Sequence, residues 1–425
     1  VTAVVADQAL GLLDRQDSAV ADLARAHLAY AARTLNLVAA SSPTLPAVSA
    51  AAGAGFWAVT AEGYPGARYH PAAVAIDDLE SLARQRARSL FGVSHANVQP
   101  ASGSAANLAV LYGLLDPGDR VLSLDLAHGG HLSHVSRQAS ISKRVDAAHY
   151  LVGDDGTVDP AALADLVART RPRLVICGGS AYPRQLDFAA FRAAADRVDA
   201  LLLADISHIS GLVAAGVHPS PAAFCDLVTT STYKQLRGPR GGLVMLGEPT
   251  RVSASTIDRA VFPGFQGTPD FAAIAGKAIA FRHAATPDFR AAMQRVVDYA
   301  RIFAAAFTDR GVPMVTGGTD THMVLLDLRA TPVSGRVVAD SLQDLGLLTN
   351  RNLVPADPRP TRETSGVRLG TNDLAFRDLT STEITTLAGT VAAVVGDLVD
   401  ERPGGPARAL LSELVAEYST RPHLD

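Results

Sequence analysis

Lysine is nearly absent from this chain of 425 residues. Of its 38 basic residues only Lys143, Lys234 and Lys277 are lysines, and the rest are arginines. Alongside the abundant alanine this reads as a bias of base composition, so most of the arginines carry no functional message. Arginine, however, cannot form an imine with an aldehyde and lysine can, so chemistry of that kind has three possible addresses. Cysteine is just as scarce: Cys177 and Cys225 alone exclude a disulfide scaffold and suit a reducing cytoplasm. An excess of one charge is missing too, with a net charge of −4, and no basic face for nucleic acid is implied. The uncharged stretch 37–61 is interrupted by Pro43 and Pro46 and is rich in small residues, a poor membrane span. The first ten residues lack the basic start of a secretory signal. The expectation is a cytoplasmic protein with neither nucleic-acid nor membrane partners. What is present is a composition 48% hydrophobic, in a length that usually divides into two domains.

Apolar periodicity predicts a helical arm over residues 1–36, ended by Pro43 and Pro46. Helices are predicted at Leu79–Phe91, Asn107–Leu115, Pro160–Thr170 and Phe188–Val198. Short apolar runs between them read as strands: Arg120–Leu124, Leu174–Cys177, Ala200–Ala204, Leu227–Ser231 and Gly242–Leu246. Strands alternating with helices indicate an α/β fold whose mostly parallel sheet is covered on both faces. After about residue 275 the pattern changes to a long helix (271–310), a strand Met323–Asp327, a helix near Gly335–Gly346, an irregular stretch 354–364 and a final helical segment. The division expected is an arm (1–40), a large domain (41–275) and a smaller α/β domain (276–425).

Four elements could carry chemistry. Ser102-Gly103-Ser104 precedes an apolar helix, where small residues let backbone N–H groups approach a phosphate, although an ordinary helix cap reads the same way. Asp205 ends the run ALLLA, at the strand end where α/β folds bind ligands, and capping of the next helix is the competing reading. Lys234 follows the hydroxyl-rich run Thr229-Thr230-Ser231-Thr232-Tyr233 and precedes a Gly-rich turn; desolvated in a cleft, it could lose its proton. Lys143 reads as solvent-facing and Lys277 as either surface or structural. His128, His131 and His134 recur every three residues, but without thiolates and with Gly129-Gly130 between them they do not make a metal site. A phosphate cradle, a strand-end aspartate and a lysine about thirty residues on, in that order, suit a pyridoxal phosphate enzyme. The aspartate would keep the pyridine nitrogen protonated and the lysine would hold the aldehyde.

The chain resembles the serine hydroxymethyltransferase family, of fold type I, from about residue 35 to 395. The resemblance is carried by Ala61-Glu-Gly-Tyr-Pro-Gly, Asn97-Val-Gln-Pro-Ala-Ser-Gly-Ser, Leu126-Ala-His-Gly-Gly-His, Gly211-Leu-Val-Ala-Ala-Gly-Val-His-Pro, Tyr233-Lys-Gln-Leu-Arg-Gly-Pro-Arg-Gly-Gly, Val261-Phe-Pro-Gly and Ser365-Gly-Val-Arg-Leu-Gly-Thr. It implies a large domain with a sheet of the seven-stranded type and a smaller C-terminal domain. It assigns Lys234, Asp205, Glu62 and His131 to catalysis, with His131 stacked on the cofactor ring. Ser102, Gly103, Ser104, Ser180, Ser231, His208 and Gly267 join them in holding pyridoxal 5'-phosphate. Arg368 would grip the substrate carboxylate, and Tyr69, His70 and Asn352 would also face substrate. Tyr69, Leu126, Leu132 and Asn352 match folate-lining positions. Glu62 and Gly267 match residues given by a partner subunit, so a homodimer with shared active sites is implied.

The chain departs from the family at Ala40, Ser41, Ser42, Thr60, His70, Tyr233, Phe265 and Thr268, all matching positions around substrate and phosphate. The expected reaction is reversible aldol-type transfer at Cα of a β-hydroxy amino acid. The leading form is hydroxymethyl transfer between serine or α-methylserine and glycine or alanine with tetrahydrofolate. The alternative is a folate-independent threonine aldolase or transaldolase, which the altered pocket would suit.

Overall fold

A computed structural model describes residues 2–71, 74–402 and 404–424. Seven strands form the central sheet: β1 (His95–Asn97), β2 (Arg120–Leu124), β3 (Asp146–Tyr150), β4 (Leu174–Cys177), β5 (Leu201–Asp205), β6 (Leu227–Ser231) and β7 (Gly242–Leu246). Their order is β1-β7-β6-β5-β4-β2-β3, with only β7 reversed, so the sheet is mostly parallel as expected. The unbroken apolar runs follow from burial on both faces. On β5, Leu202 and Ala204 join one core cluster while Leu201 and Leu203 join the other, under helix Gly103–Leu114.

A second sheet, β8 (Met323–Asp327), β9 (Asn350–Asn352) and β10 (Gly366–Gly370), is antiparallel in the order β8-β10-β9. Helix Ser381–Val399 is long and apolar enough to span a membrane by length, but it packs against helices Pro287–Asp309 and Ala407–Ser419. Leu387, Val391 and Val395 are buried in the core.

Several expectations need correction. The arm is two helices, Thr2–Gln16 and Ser18–Ala31, because Asp17 accepts from the N–H groups of Ala19 and Val20 and starts a new helix. Leu35–Asn36 is not helical but pairs in parallel with Leu347–Leu348 of the C-terminal half. The predicted helix 271–310 divides into Phe271–Ala284 and Pro287–Asp309, where Thr286 caps and Pro287 takes the first helical position. The final helical segment is likewise two helices. Strands β1, β3, β9 and β10 were not anticipated.

Candidate active site

The carboxyl ends of β5 and β6 and the start of helix Gly103–Leu114 enclose a cavity of about 160 Å³. Ser102 is the helix cap, its Oγ accepting from Ala105 N at 3.0 Å and its carbonyl from Ala106 N. The capping reading is therefore correct, and the helix start still directs the N–H groups of Gly103 and Ser104 into the cavity. A Cβ at Gly103 would crowd the site, lying 3.2 Å from both Ser207 Oγ and Ser231 N.

Asp205 is no helix cap; the helix that follows starts at Ser210 with no side-chain cap. Register places Asp205 opposite Thr229, and its carboxylate is held by three donors. Asn107 Nδ2 and His134 Nε2 donate to Oδ2 at 2.7 and 2.8 Å, and Ser207 N to Oδ1 at 2.9 Å. Burial alone would raise its pKa, but the His134 hydrogen bond and the neighbouring imidazoles outweigh it and hold the group far below the carboxylate range. Asn107 in turn accepts from Thr229 Oγ1 at 2.6 Å and donates to Ser133 Oγ at 2.9 Å. That hydroxyl lies 2.7 Å from His131 Nδ1, which also accepts from Ser133 N. With Nδ1 accepting, the His131 proton sits on Nε2, and burial lowers its pKa to about 4. A polar chain thus links the aspartate to the ring assigned to stacking. His134 and Asn107 were missed as site residues; only tertiary contact, not spacing, gives them their role.

The three histidines of the early motif go to separate partners, His128 Nδ1 accepting from Val152 N. No group of three His, Cys, Asp or Glu among the described residues is placed to hold a metal.

Lys234 lies just past β6, 7% exposed, and among the described residues its amine has no hydrogen-bond partner. Burial lowers its pKa to about 8, aided by Arg368 and opposed by Asp205. Lys277 is structural: its Nζ donates to the carbonyls of Val98, Pro100 and Gly242 at 2.6, 3.0 and 3.1 Å. Lys143 is exposed.

Arg368, on β10, is buried and has no carboxylate partner among the described residues. It donates to Asn350 Oδ1 at 3.2 Å and to the Ser180 carbonyl. Burial pushes its pKa down to about 10, an electrostatic demand for an anion. His208 is buried with Nδ1 unpartnered and stacks on His322, ring centroids 5.7 Å apart. Ser231 Oγ and His134 Nδ1 are likewise buried and, among the described residues, without partners. Orphaned polar atoms, a glycine cradle at a helix start, an anionic strand-end carboxylate and a free amine line one cavity. The residues fit pyridoxal phosphate.

Two groups of assigned residues stand elsewhere. Leu126, Leu132 and Asn352 line an adjoining cavity of about 340 Å³ that shares His131 and Ser180 with the first and is also lined by Arg368. Tyr69 is not among its lining and is 76% exposed, packed on Phe262. Glu62 and Gly267 do not reach the first cavity within one protomer; they stand together, with Thr268 Oγ1 donating to Glu62 Oε1 at 3.3 Å. His70 Nδ1 accepts from Glu62 N at 3.3 Å, so two of the departures from the family pattern converge on that glutamate.

The family model for serine hydroxymethyltransferase matches residues 13–391. Serine hydroxymethyltransferase 2 of Mycobacterium tuberculosis is 45% identical over 396 residues, 92% of each chain. Serine hydroxymethyltransferase of Nocardia farcinica is 44% identical over 416 residues, covering 96% of this chain and 95% of its own. The namesake from a Synechococcus strain is 43% identical over 433 residues, 98% of each. The chain belongs to the serine hydroxymethyltransferase family.

Proposed function

We propose, from that membership, that this protein transfers a hydroxymethyl group between serine and glycine, using pyridoxal phosphate as cofactor and tetrahydrofolate as co-substrate. The observation that carries the reading is that the Lys234 amine, without a hydrogen-bond partner among the described residues, and the buried Arg368, without a carboxylate partner among them, line two adjoining cavities that share His131 and Ser180. An α-amino acid presents an ammonium and a carboxylate, the two groups that these side chains are placed to meet. The adjoining cavity with Leu126, Leu132 and Asn352 offers a place for the folate. The named relatives are all hydroxymethyltransferases, and the folate-independent threonine reading is not favoured.

Pyridoxal phosphate, when bound, supplies an electron sink for the Cα–Cβ bond electrons. The N–H groups of Gly103 and Ser104 and the hydroxyl of Ser231 would hold its phosphate, Asp205 its ring nitrogen and Lys234 its aldehyde carbon. Asp205 is suited to this because three donors keep it anionic at every working pH. Arg368 fixes the substrate carboxylate through a planar fork and so orients the bond to be broken. Lys234 Nζ, near 8, can hold or release a proton close to neutrality. His131, neutral at that pH, presents a ring face without added charge.

Glu62 is proposed to manage the proton of the substrate hydroxyl from a second copy of the chain, together with Gly267. Their position outside the cavity of their own protomer supports this, as does the exposure of Trp57 and Tyr69 nearby in sequence. The division at residues 40 and 275, the roles of the individual site residues and a cytoplasmic location belong to the same proposal. The test is glycine formation from serine with and without tetrahydrofolate, repeated on a mixture of Lys234→Met and Glu62→Gln chains. Folate-dependent turnover, partly restored on mixing two inactive variants, is expected. Turnover indifferent to folate would overturn the reaction assigned, and no restoration would overturn the shared site.

A further inference from the structure

The cations of the cavity gather around one aromatic ring. Tyr233 lines the cavity, half-buried, and the guanidinium of Arg240 stacks over its ring at 4.5 Å. The amine of Lys234 lies 5.9 Å from the centroid of the same ring. Among the described residues the Tyr233 hydroxyl has no hydrogen-bond partner, and the ring face meets these two cations. Among the described residues Lys234 has no hydrogen-bond acceptor either. An aromatic face carries partial negative charge and is a seat for a cation that lacks one.

We propose that Tyr233 is a positioning residue whose ring face, itself held by Arg240, seats the Lys234 amine over the cavity and favours its protonated form. The inference rests on Lys234 being the reactive amine, but it concerns the cofactor-free protein and stands or falls apart from the reaction. The other groups that act on Lys234 come from different elements. Asp205 at the end of β5 favours the ammonium, and Arg368 on β10 opposes it. His131, His208 and His322 also lie within its electrostatic reach, and burial holds all three neutral near pH 8. Against that background the ring contributes a fixed amount, on the order of half a pH unit for a cation at this distance.

The scarcity of lysine makes the test direct. Lysine labelled with ¹³C at Cε gives three NMR signals, assigned with Lys143→Arg and Lys234→Arg, and the cofactor-free protein can be titrated at Lys234 alone. The wild-type midpoint should lie at about 8. Tyr233→Leu should lower it by roughly half a unit. Tyr233→Phe, which keeps the ring, should leave it in place, and Tyr233→Trp, with a stronger face, should hold or raise it. A merely structural role would lower melting temperature without moving the midpoint. If Tyr233→Leu fails to fold, the Phe and Trp variants still decide, because a fall in either contradicts a seat made by the ring. An unchanged or raised midpoint in Tyr233→Leu, or a fall in Tyr233→Phe, overturns the proposal.

Discussion

Lys234 and Lys277 are both almost wholly buried, and both stand near the first turn of helix Gly103–Leu114. Lys277 reaches three carbonyl oxygens and ties the strand leading to the phosphate cradle, through Val98 and Pro100, to Gly242 at the start of β7. Its three donors meet three acceptors, while burial still pushes its pKa down to about 7 against the pull of Asp270 and Glu80. Lys234 meets none and lies instead beside an open cavity with an aromatic ring and a distant carboxylate. The same side chain is a structural tie in one region and a reactive amine in the other. What separates them is hydrogen-bond satisfaction, not burial.

The region around Lys234 should respond most strongly in rate. Asp205→Asn keeps the shape of the cavity and removes the anion that acts on Lys234 and is proposed to meet the ring nitrogen of the cofactor. Turnover is expected to fall by on the order of 10²–10⁴ while the variant still takes up cofactor, as read from its visible absorbance. Near-wild-type turnover would mean that the carboxylate does no more than organise Asn107 and His134.

In stability the two lysines should move in opposite directions. Lys277→Met strips three buried carbonyls of their donor and should destabilise the cofactor-free protein by roughly 3 kcal/mol. Lys234→Met removes a buried, unpartnered ammonium and should stabilise it by on the order of 2 kcal/mol at pH 7. The sign with pH follows from linkage. Unfolded, this lysine keeps its proton up to 10.5; folded, only up to about 8. Between those values the unfolded state binds more protons, so wild-type stability rises with pH and the advantage of Lys234→Met fades over that window. Denaturant unfolding of both variants at pH 7 and 10 checks this; shifts of the same sign would erase the distinction between the two regions.

Much of the fold was legible in the sequence. Strands buried on both faces announced themselves as apolar runs, and β2, β4, β6 and β7 match residue for residue. β3 (DAAHY) is a half-buried edge strand with a polar pattern, and β1 has three residues, too few for periodicity. The breaks at Asp17 and Pro287 carried readable cap signals that continuous apolar spacing obscured. In the site, Lys234, Asp205 and the phosphate cradle were accessible from chain order, because each sits at a strand end or helix start. His134 and Asn107 were not, since they come to Asp205 from a loop and a helix 71 and 98 residues away. Nor could spacing show that Tyr233 would gather cations, a contact made only when the Gly-rich turn folds Arg240 back over the ring.

The central claim is that Lys234, and neither of the other two lysines, carries the chemistry. Borohydride reduction of the cofactor-loaded protein, followed by peptide mapping, tests it without reference to substrate. One label per chain on the peptide containing Lys234 is the predicted result. A label on the peptide of Lys277 or Lys143, or a loaded protein that borohydride leaves unlabelled, would contradict it.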